Sequence, residues 1–258
     1  YETAISLNQK GISSQIIDIR KSSDSLIVRK AEKLGIKIYW EHAIINTSGY
    51  KKINSVEIMK LSEDGSNVQG EIVKLKCDCL SMSGGWTPLV HMHTQSGGKL
   101  NFKDDDQIFI PDNNSTDHIS VGSCNGDFEL DNLINNTIKS TRDYLDIENN
   151  QFNEIKIYCS KEKNKRNIWL VPSNINLGKT KSFIDFQNDS TAKDIKLALR
   201  EGFRSIEHVK RYTTTGMATD QGKTSNMHAL GIIAETAGVK MGSLGTTTFR
   251  PPFTPLTF

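Results

Sequence analysis

The 258-residue chain has no run of about 18 apolar residues, which excludes a transmembrane helix from the expectations. No basic N-terminal segment is followed by an apolar stretch, so no secretory leader is expected either. Aromatic residues make up only 7% and hydrophobic residues 36%, lean for a packed globule but enough for one. Charge of one sign is also missing. The net charge is +2, and lysines and acids are interspersed, so neither a nucleic-acid partner nor a membrane surface is expected.

Four cysteines do not make a disulfide framework at this length. Cys77 and Cys79 are expected on one face of a strand, Cys124 in a glycine-flanked turn, and Cys159 alone. His91 and His93 follow the first pair, and a Cys-x-Cys plus His-x-His zinc site can be drawn from them. Zinc cysteines are usually spaced by two to four residues, so reduced cysteines in a cytoplasmic protein are the preferred reading and no metal is assigned.

What is present is an alternation of helix and strand. Tyr1 to Lys10 reads as a helix stopped at Gly11; a domain rarely opens mid-element, so an internal piece of a longer polypeptide is expected. Ile16, Ile17 and Ile19 form a strand-length apolar run. Leu26 to Leu34 has helical spacing and closes on Gly35. Ile36, Ile38 and Trp40 then alternate, as do Ile44 and, after a Ser48-Gly49 turn, Ile53, Val56 and Ile58. Glu63-Asp64-Gly65-Ser66 predicts a hairpin turn, with Val73, Leu75, Cys77 and Cys79 continuing the period of two. This order predicts an α/β fold in which a parallel sheet carries a small antiparallel layer.

In dinucleotide-binding units an acid about 20 residues after the Gly-rich turn, at the end of the second strand, takes the ribose hydroxyls. Asp18 stands at that place if the first helix is Tyr1 to Lys10. An exposed strand-end acid is the plainer reading, with Arg20 favouring a phosphate or pairing with Asp18.

The second half opens with a charged connector from Glu154 to Lys165. Thr191-Ala-Lys-Asp194 resembles a capping box, and Ile195, Leu197, Ala198 and Leu199 pack a helix that stops at Gly202. Ser205 caps a second helix, with Gly216 beyond its end. A third runs from about Thr224 to Ala237, ended by Gly238. Gly222-Lys223-Thr224 imitates a P-loop, but five residues separate Gly216 from Gly222 where that loop needs four, and a helix precedes it instead of a strand.

Several stretches carry a resemblance. Cys77-Asp-Cys-Leu-Ser-Met-Ser-Gly-Gly-Trp-Thr-Pro88 resembles the strand and turn closing the inner domain of two-dinucleotide flavoprotein reductases. Ile119-Ser-Val-Gly-Ser-Cys-Asn-Gly126 resembles the strand that ends beside their first cofactor, with Ser123 where those enzymes usually carry the Asp that binds FAD. Ser83 to Leu100, Tyr212 to Asn226 and Gly245 to Pro255 resemble the α subunit of heterotetrameric sarcosine oxidase more narrowly. The likeness runs through essentially the whole chain. The helical module is similar to the small [2Fe–2S] domain of related amine dehydrogenases, with Asp185, Gln187, Asp220 and Ser225 at the four cysteine positions. No iron–sulfur cluster is therefore expected.

The resemblance implies an incomplete FAD/NAD(P) reductase-like nucleotide-binding domain over 1–150, lacking its N-terminal strand. A connector over 151–184 follows, then a three-helix module over 185–245 and a linker over 246–258 leading to a folate-binding, aminomethyltransferase-like domain. It implies NAD at Gly122, Ser123, Asn125, Leu130 and Asn132. FMN is expected at a subunit interface, facing Gly222, Lys223, Thr224 and Ser225, whose amides and hydroxyls would start the third helix. FAD in a partner β subunit, tetrahydrofolate in the C-terminal domain, and β, γ and δ partner subunits complete the expectation. The implied activity is oxidative demethylation of sarcosine to glycine, with no catalytic acid, base or nucleophile in this segment. The alternative is an NAD(P)H-dependent flavoprotein reductase of the disulfide-reductase type, which usually has a Cys-x₄-Cys pair that this sequence lacks.

Overall fold

The computed structural model describes residues 1–115, 117–147, 154–157 and 166–248, and the chain divides into two compact units. The first holds residues 1–84 and 160–180; the second holds 85–159 and 181–258. Cys159 and the latter part of the connector lie outside the described residues.

The first unit begins with α1 (Glu2–Gln9), β1 (Gln15–Asp18), α2 (Leu26–Lys33) and β2 (Lys37–Trp40). β1 and β2 pair in parallel, Gln15 opposite Lys37 and Asp18 opposite Trp40, so α2 is a crossover helix. Ala4, Ile5, Ala31 and Ile36 form the core beneath them. Gly11 and Gly35, with φ of +76° and +71°, end the helices as expected.

An antiparallel meander follows: β3 (His42–Gly49), β4 (Ile53–Leu61) and β5 (Val68–Lys76). Ser48 and Gly49 end β3 instead of forming the turn, which falls at 50–52. At Gly49 a Cβ would stand 2.0 Å from the Lys52 carbonyl, so only glycine lets the chain close there. The turn at 63–66 is present. Asp64 accepts the hydroxyls of Ser62 and Ser66 and the Ser66 amide, and these bonds hold its carboxyl well below the usual range. Arg166 returns to this unit and donates to the carbonyls of Ile19 (3.1 Å), Glu63 (3.0 Å) and Ser62. Cys77 and Cys79 lie beyond the end of β5, so the expected shared strand face does not exist; the Cys77 amide still donates to the Asn54 carbonyl.

The second unit holds α3 (His91–Gln95), the antiparallel pair β6 (Leu100–Lys103) and β7 (Ile108–Pro111), and α4 (Leu130–Tyr144). After the connector come β8 (Phe183–Asp185), β9 (Ser190–Thr191), α5 (Ala192–Arg200), α6 (Ile206–Thr213), α7 (Asn226–Ala237) and α8 (Met241–Leu244). The capping box forms: the amide and hydroxyl of Thr191 bond the Asp194 carboxylate at 2.9 and 2.7 Å. Ile195, Ala198, Val209, Leu230 and Ile233 are buried where α5, α6 and α7 meet. Each such large aliphatic side chain contributes about 1.5–3 kcal/mol by its burial. α7 buries six consecutive residues, Ala229 to Ala234, and is the central helix of the module. Gly238 ends it at φ +66°, whereas α6 is ended by Thr214 in the left-handed region, ahead of Gly216.

Candidate functional site

The expected strand over 119–126 is absent. Val121 is extended but unpaired in any sheet, and Gly122–Asn125 is a single 3₁₀ turn. Gly122 is buried at φ +75°, facing Leu133 and Thr137 of α4. Gly126, at φ +84°, lets β7 approach; a Cβ there would lie 3.0 Å from Ile110. The Cys124 thiol is turned inward and donates to the Val121 carbonyl at 3.0 Å.

Of the residues expected to touch NAD, Ser123 and Leu130 are exposed while Asn125 and Asn132 are half-buried. They cluster at the start of α4, but the Asn132 amide is taken by the Asp131 carboxylate at 2.8 Å. Asp127 and Glu129 stand at the same helix start, Asp127 bonded by Asn136 at 3.2 Å. Three carboxylates suit a helix N-terminus and repel a diphosphate. Ribose hydroxyls can donate to them, so the surface fits the sugar portion of a dinucleotide.

Asp18 is buried, not exposed. Its oxygens accept the Arg20 amide at 2.9 Å, the Arg20 guanidinium at 2.6–3.1 Å and the Tyr1 hydroxyl at 2.7 Å. Burial works against its charge, but the Arg20 and Tyr1 bonds outweigh burial and hold its pKa below the carboxylate range. Arg20 is pushed up by the same bonds, and the Tyr1 phenol is pushed up by burial and by Asp18. The ion pair leaves this acid no lone pair for a ribose.

The turn before α7 is built around Asp220. Its carboxylate accepts the amides of Gly222 (3.3 Å) and Thr224 (3.1 Å) and the Thr224 hydroxyl, and its carbonyl accepts the Lys223 amide. α7 therefore begins at Asn226, with Ser225 as N-cap, and of the amides expected to receive a flavin phosphate those of Gly222 and Thr224 already bind a carboxylate and that of Lys223 a carbonyl. Ser225 is fully buried, and its hydroxyl has no hydrogen-bond partner. Gly222 and Gly216 enclose Asn226: a Cβ on either would lie 2.2 or 2.3 Å from its side-chain oxygen. The P-loop look-alike thus wraps an asparagine.

The Lys223 side chain donates to the Asp220 carbonyl at 3.4 Å. It lines a shallow cleft with Pro88, Leu89, Val90, Phe109 and Met227. Burial lowers its pKa, with Asp220 opposing; burial and then Lys223 lower that of His91. Burial also lowers His228, in the first turn of α7. In Asp220 burial is outweighed by the Thr224 and Gly222 bonds, which hold the carboxyl low.

Of the four positions aligned with cluster cysteines, Asp185 bonds the amides of Gln187, Asn188 and Gly216 at 2.8–3.1 Å. Gln187 accepts the Thr219 amide (3.0 Å) and hydroxyl (2.6 Å), one residue before Asp220. Asn188 and Ser190 donate to the carbonyls of Thr214 and Thr213. Two distant turns are stitched into one knot. Asn188, Asn226 and Thr247 are members that the sequence reading missed, although Gly216, Gly222 and Asn226 carry the signal in their spacing.

Of the four residues of the imagined zinc site, His93 is used otherwise. His93 is buried and its Nε2 donates to the Lys99 carbonyl at 2.9 Å; its Nδ1 then accepts from His118 at 3.1 Å. Among the described residues no cluster of three His, Cys, Asp or Glu is placed to hold a metal, and no helix is long and apolar enough to cross a membrane.

Residues 179–258 match the family described as the sarcosine oxidase A3 domain. The whole chain is similar to sarcosine oxidase subunit alpha from Corynebacterium sp. (strain P-1), 30% identical over 270 residues and covering 27% of that protein. It is also 32% identical over 229 residues, or 84% of the chain, to the subunit of the same name from Rhizobium meliloti (strain 1021), covering 21% of it. The chain thus spans about a quarter of the length of these relatives. In fold it is similar to L-proline dehydrogenase from P. horikoshii, with a TM-score of 0.54 over 95% of this chain and 49% of that one at 15% identity.

Proposed function

We propose, from the premise that the chain belongs to the sarcosine oxidase α-subunit family, that it is scaffold and cofactor wall within a multisubunit sarcosine oxidase. The observation that carries this is the A3-family match, with Lys223 of that module set against an apolar cleft. In this reading the complex converts sarcosine to glycine by oxidative demethylation, and FAD sits in a β subunit. The β, γ and δ subunits are the partners, and a folate-binding domain follows residue 258. The expected spans, 1–150 for dinucleotide binding, 151–184 as connector and 185–245 as helical module, belong to the same proposal.

The residues fit FMN in one way and not in another. The Asp220-bound turn offers no amide cradle, whereas the Lys223 ammonium and the Pro88–Val90, Phe109 and Met227 wall suit a charged tail and a flat ring. A bound flavin supplies electron transfer; the chain's own part is to hold and orient it and to keep water from its apolar side. NAD is assigned to Gly122, Ser123, Asn125, Leu130 and Asn132, its sugar hydroxyls facing the acids of the α4 start.

The test is the full α subunit expressed with its partners. Sarcosine-dependent oxygen uptake with glycine as product is expected, together with copurifying FMN and NAD. A correctly assembled complex that turns over no N-methyl amine would overturn the reading.

A further inference from the structure

Two cysteines with no part in the cofactor wall stand together in the first unit, just past the end of β5. Free cysteine is among the most buried residue types and serves in cores as a small apolar side chain. Neither of these fits that role: Cys77 is half-buried, Cys79 is exposed, and both are free thiols. At such a place the property a cysteine offers is reactivity.

Their spacing bears on what that reactivity is. Two residues apart in an extended strand, α-carbons stand about 6.4–6.8 Å from each other. That is the upper edge of the roughly 4.4–6.8 Å over which a disulfide closes, with a commonest value of about 5.5–6 Å. Here the ladder ends at Lys76, and the chain bends at Asp78, between the two thiols. A bend at the middle residue shortens the separation and moves it toward the favoured range. The Cys77 amide stays on the Asn54 carbonyl at 3.1 Å, so one member of the pair is anchored to β4. Cys79 is the more exposed and is the member a small oxidant meets first. A ring that spans only Asp78 is strained, and strained, exposed disulfides are the easily reduced ones.

We propose that Cys77 and Cys79 are a reversible redox pair, oxidised by hydrogen peroxide to a disulfide across Asp78 and reopened by thiols. The Cys79 thiolate attacks one peroxide oxygen and the O–O bond breaks. Cys79 becomes a sulfenic acid, and the departing hydroxide takes up a proton and leaves as water. The Cys77 thiolate then attacks the Cys79 sulfur and the S–O bond breaks. The second oxygen leaves as water with the proton given up by Cys77. Two thiols lose two electrons and two protons, and one peroxide becomes two waters. Closing the ring fixes the direction in which the chain leaves the meander. The pair is independent of the cofactor wall proposed above.

The experiment exposes the assembled complex to a slight molar excess of hydrogen peroxide and then blocks the remaining thiols with an alkylating reagent. Peptides are mapped by mass before and after treatment with glutathione. The peptide holding both cysteines is expected to lose both alkylatable thiols, to become lighter by two hydrogen atoms, and to regain both thiols in glutathione. In Cys77→Ser the second thiol is gone, so dimedone should trap Cys79 as its sulfenic acid, whereas the wild type should leave none to trap. Full alkylation of both cysteines after peroxide would overturn the proposal. So would a bond from either one to Cys124 or Cys159, or oxidation of each to sulfinic acid with no crosslink. A disulfide that glutathione leaves closed would be a structural staple, and the redox role would fail. The wild-type map decides each of these outcomes by itself, so a poorly folded Cys77→Ser protein cannot obscure the result.

Discussion

The side-chain amide of Asn226 donates to the Thr247 hydroxyl across 21 positions of sequence, and both residues are buried. That bond ties the start of α7 to the segment after α8, and Gly216 and Gly222 close over the same amide. The helical module is organised around this asparagine.

Gly222→Ala should therefore destabilise the subunit by more than about 2 kcal/mol, combining a left-handed φ with a steric conflict. A Cβ at 2.2 Å from the Asn226 oxygen has nowhere to go, because that side chain is itself enclosed. Thermal unfolding of the purified α subunit reads this directly; an unchanged midpoint would contradict the packing.

The Asp18–Arg20 pair predicts a loss of stability in acid. Folded Asp18 holds its charge below the ordinary carboxylate pKa, so the unfolded chain binds more protons as pH falls below about 4. The stabilisation is complete above that value and is lost as pH falls through the folded pKa. Arg20→Ala should cost about 3 kcal/mol at neutral pH, the low end of the range for orphaning a buried partner, since Arg20 is 19% exposed. Urea unfolding at several pH values measures both effects, and Asp18→Asn should flatten the acid slope.

At the proposed NAD surface, Ser123→Trp should lower the NAD content of the purified complex, because Ser123 is exposed beside Leu130 at the start of α4. Folding should be unaffected, as the Ser123 side chain makes no buried contact. Wild-type NAD stoichiometry in the tryptophan variant would remove this surface from the reading.

Lys223→Ala should weaken FMN retention, or slow transfer between flavins if FMN is tethered to a partner. The expected loss is about 1.5–3 kcal/mol of binding. Reduction of FAD by sarcosine should be unchanged. Rapid-mixing absorbance at the two flavins distinguishes these steps, and normal transfer with normal FMN content would make the lysine an ordinary solvated side chain.

Asp185→Asn tests the knot between the two turns. Asp185 is 3% exposed and accepts three backbone amides, and an amide side chain replaces an acceptor with a donor facing N–H groups. A cost of about 1–3 kcal/mol is expected, visible as a lower denaturant midpoint with an unchanged slope.

The helical module was legible because its signals are local. Gly202 and Gly238 end helices, Thr191 and Asp194 form a box within three residues, and the middle of α7, Ala229 to Ala234, is one unbroken apolar run. The β6–β7 hairpin was not legible: its turn, Asp104 to Gln107, contains no glycine, and Gln107 takes the positive φ of +54° instead. Asp18 was recognisable as a strand-end acid, but its burial depends on Tyr1, 17 positions away. The Gly222 to Ser225 turn misled because free amides were assumed at a helix start. Asp220, Gly222 and Thr224 have the spacing of a side chain capping its own turn, and that local competitor satisfied them first.

Arg166 ties together Ile19, Ser62 and Glu63 in a unit whose first stretch ends at Gly84. During synthesis the meander and its hairpin leave the ribosome long before the arginine that clasps them. The first unit can therefore be finished only after the strands and helices inserted in its midst have been translated, and its last step of assembly waits on a residue belonging to the return of the chain.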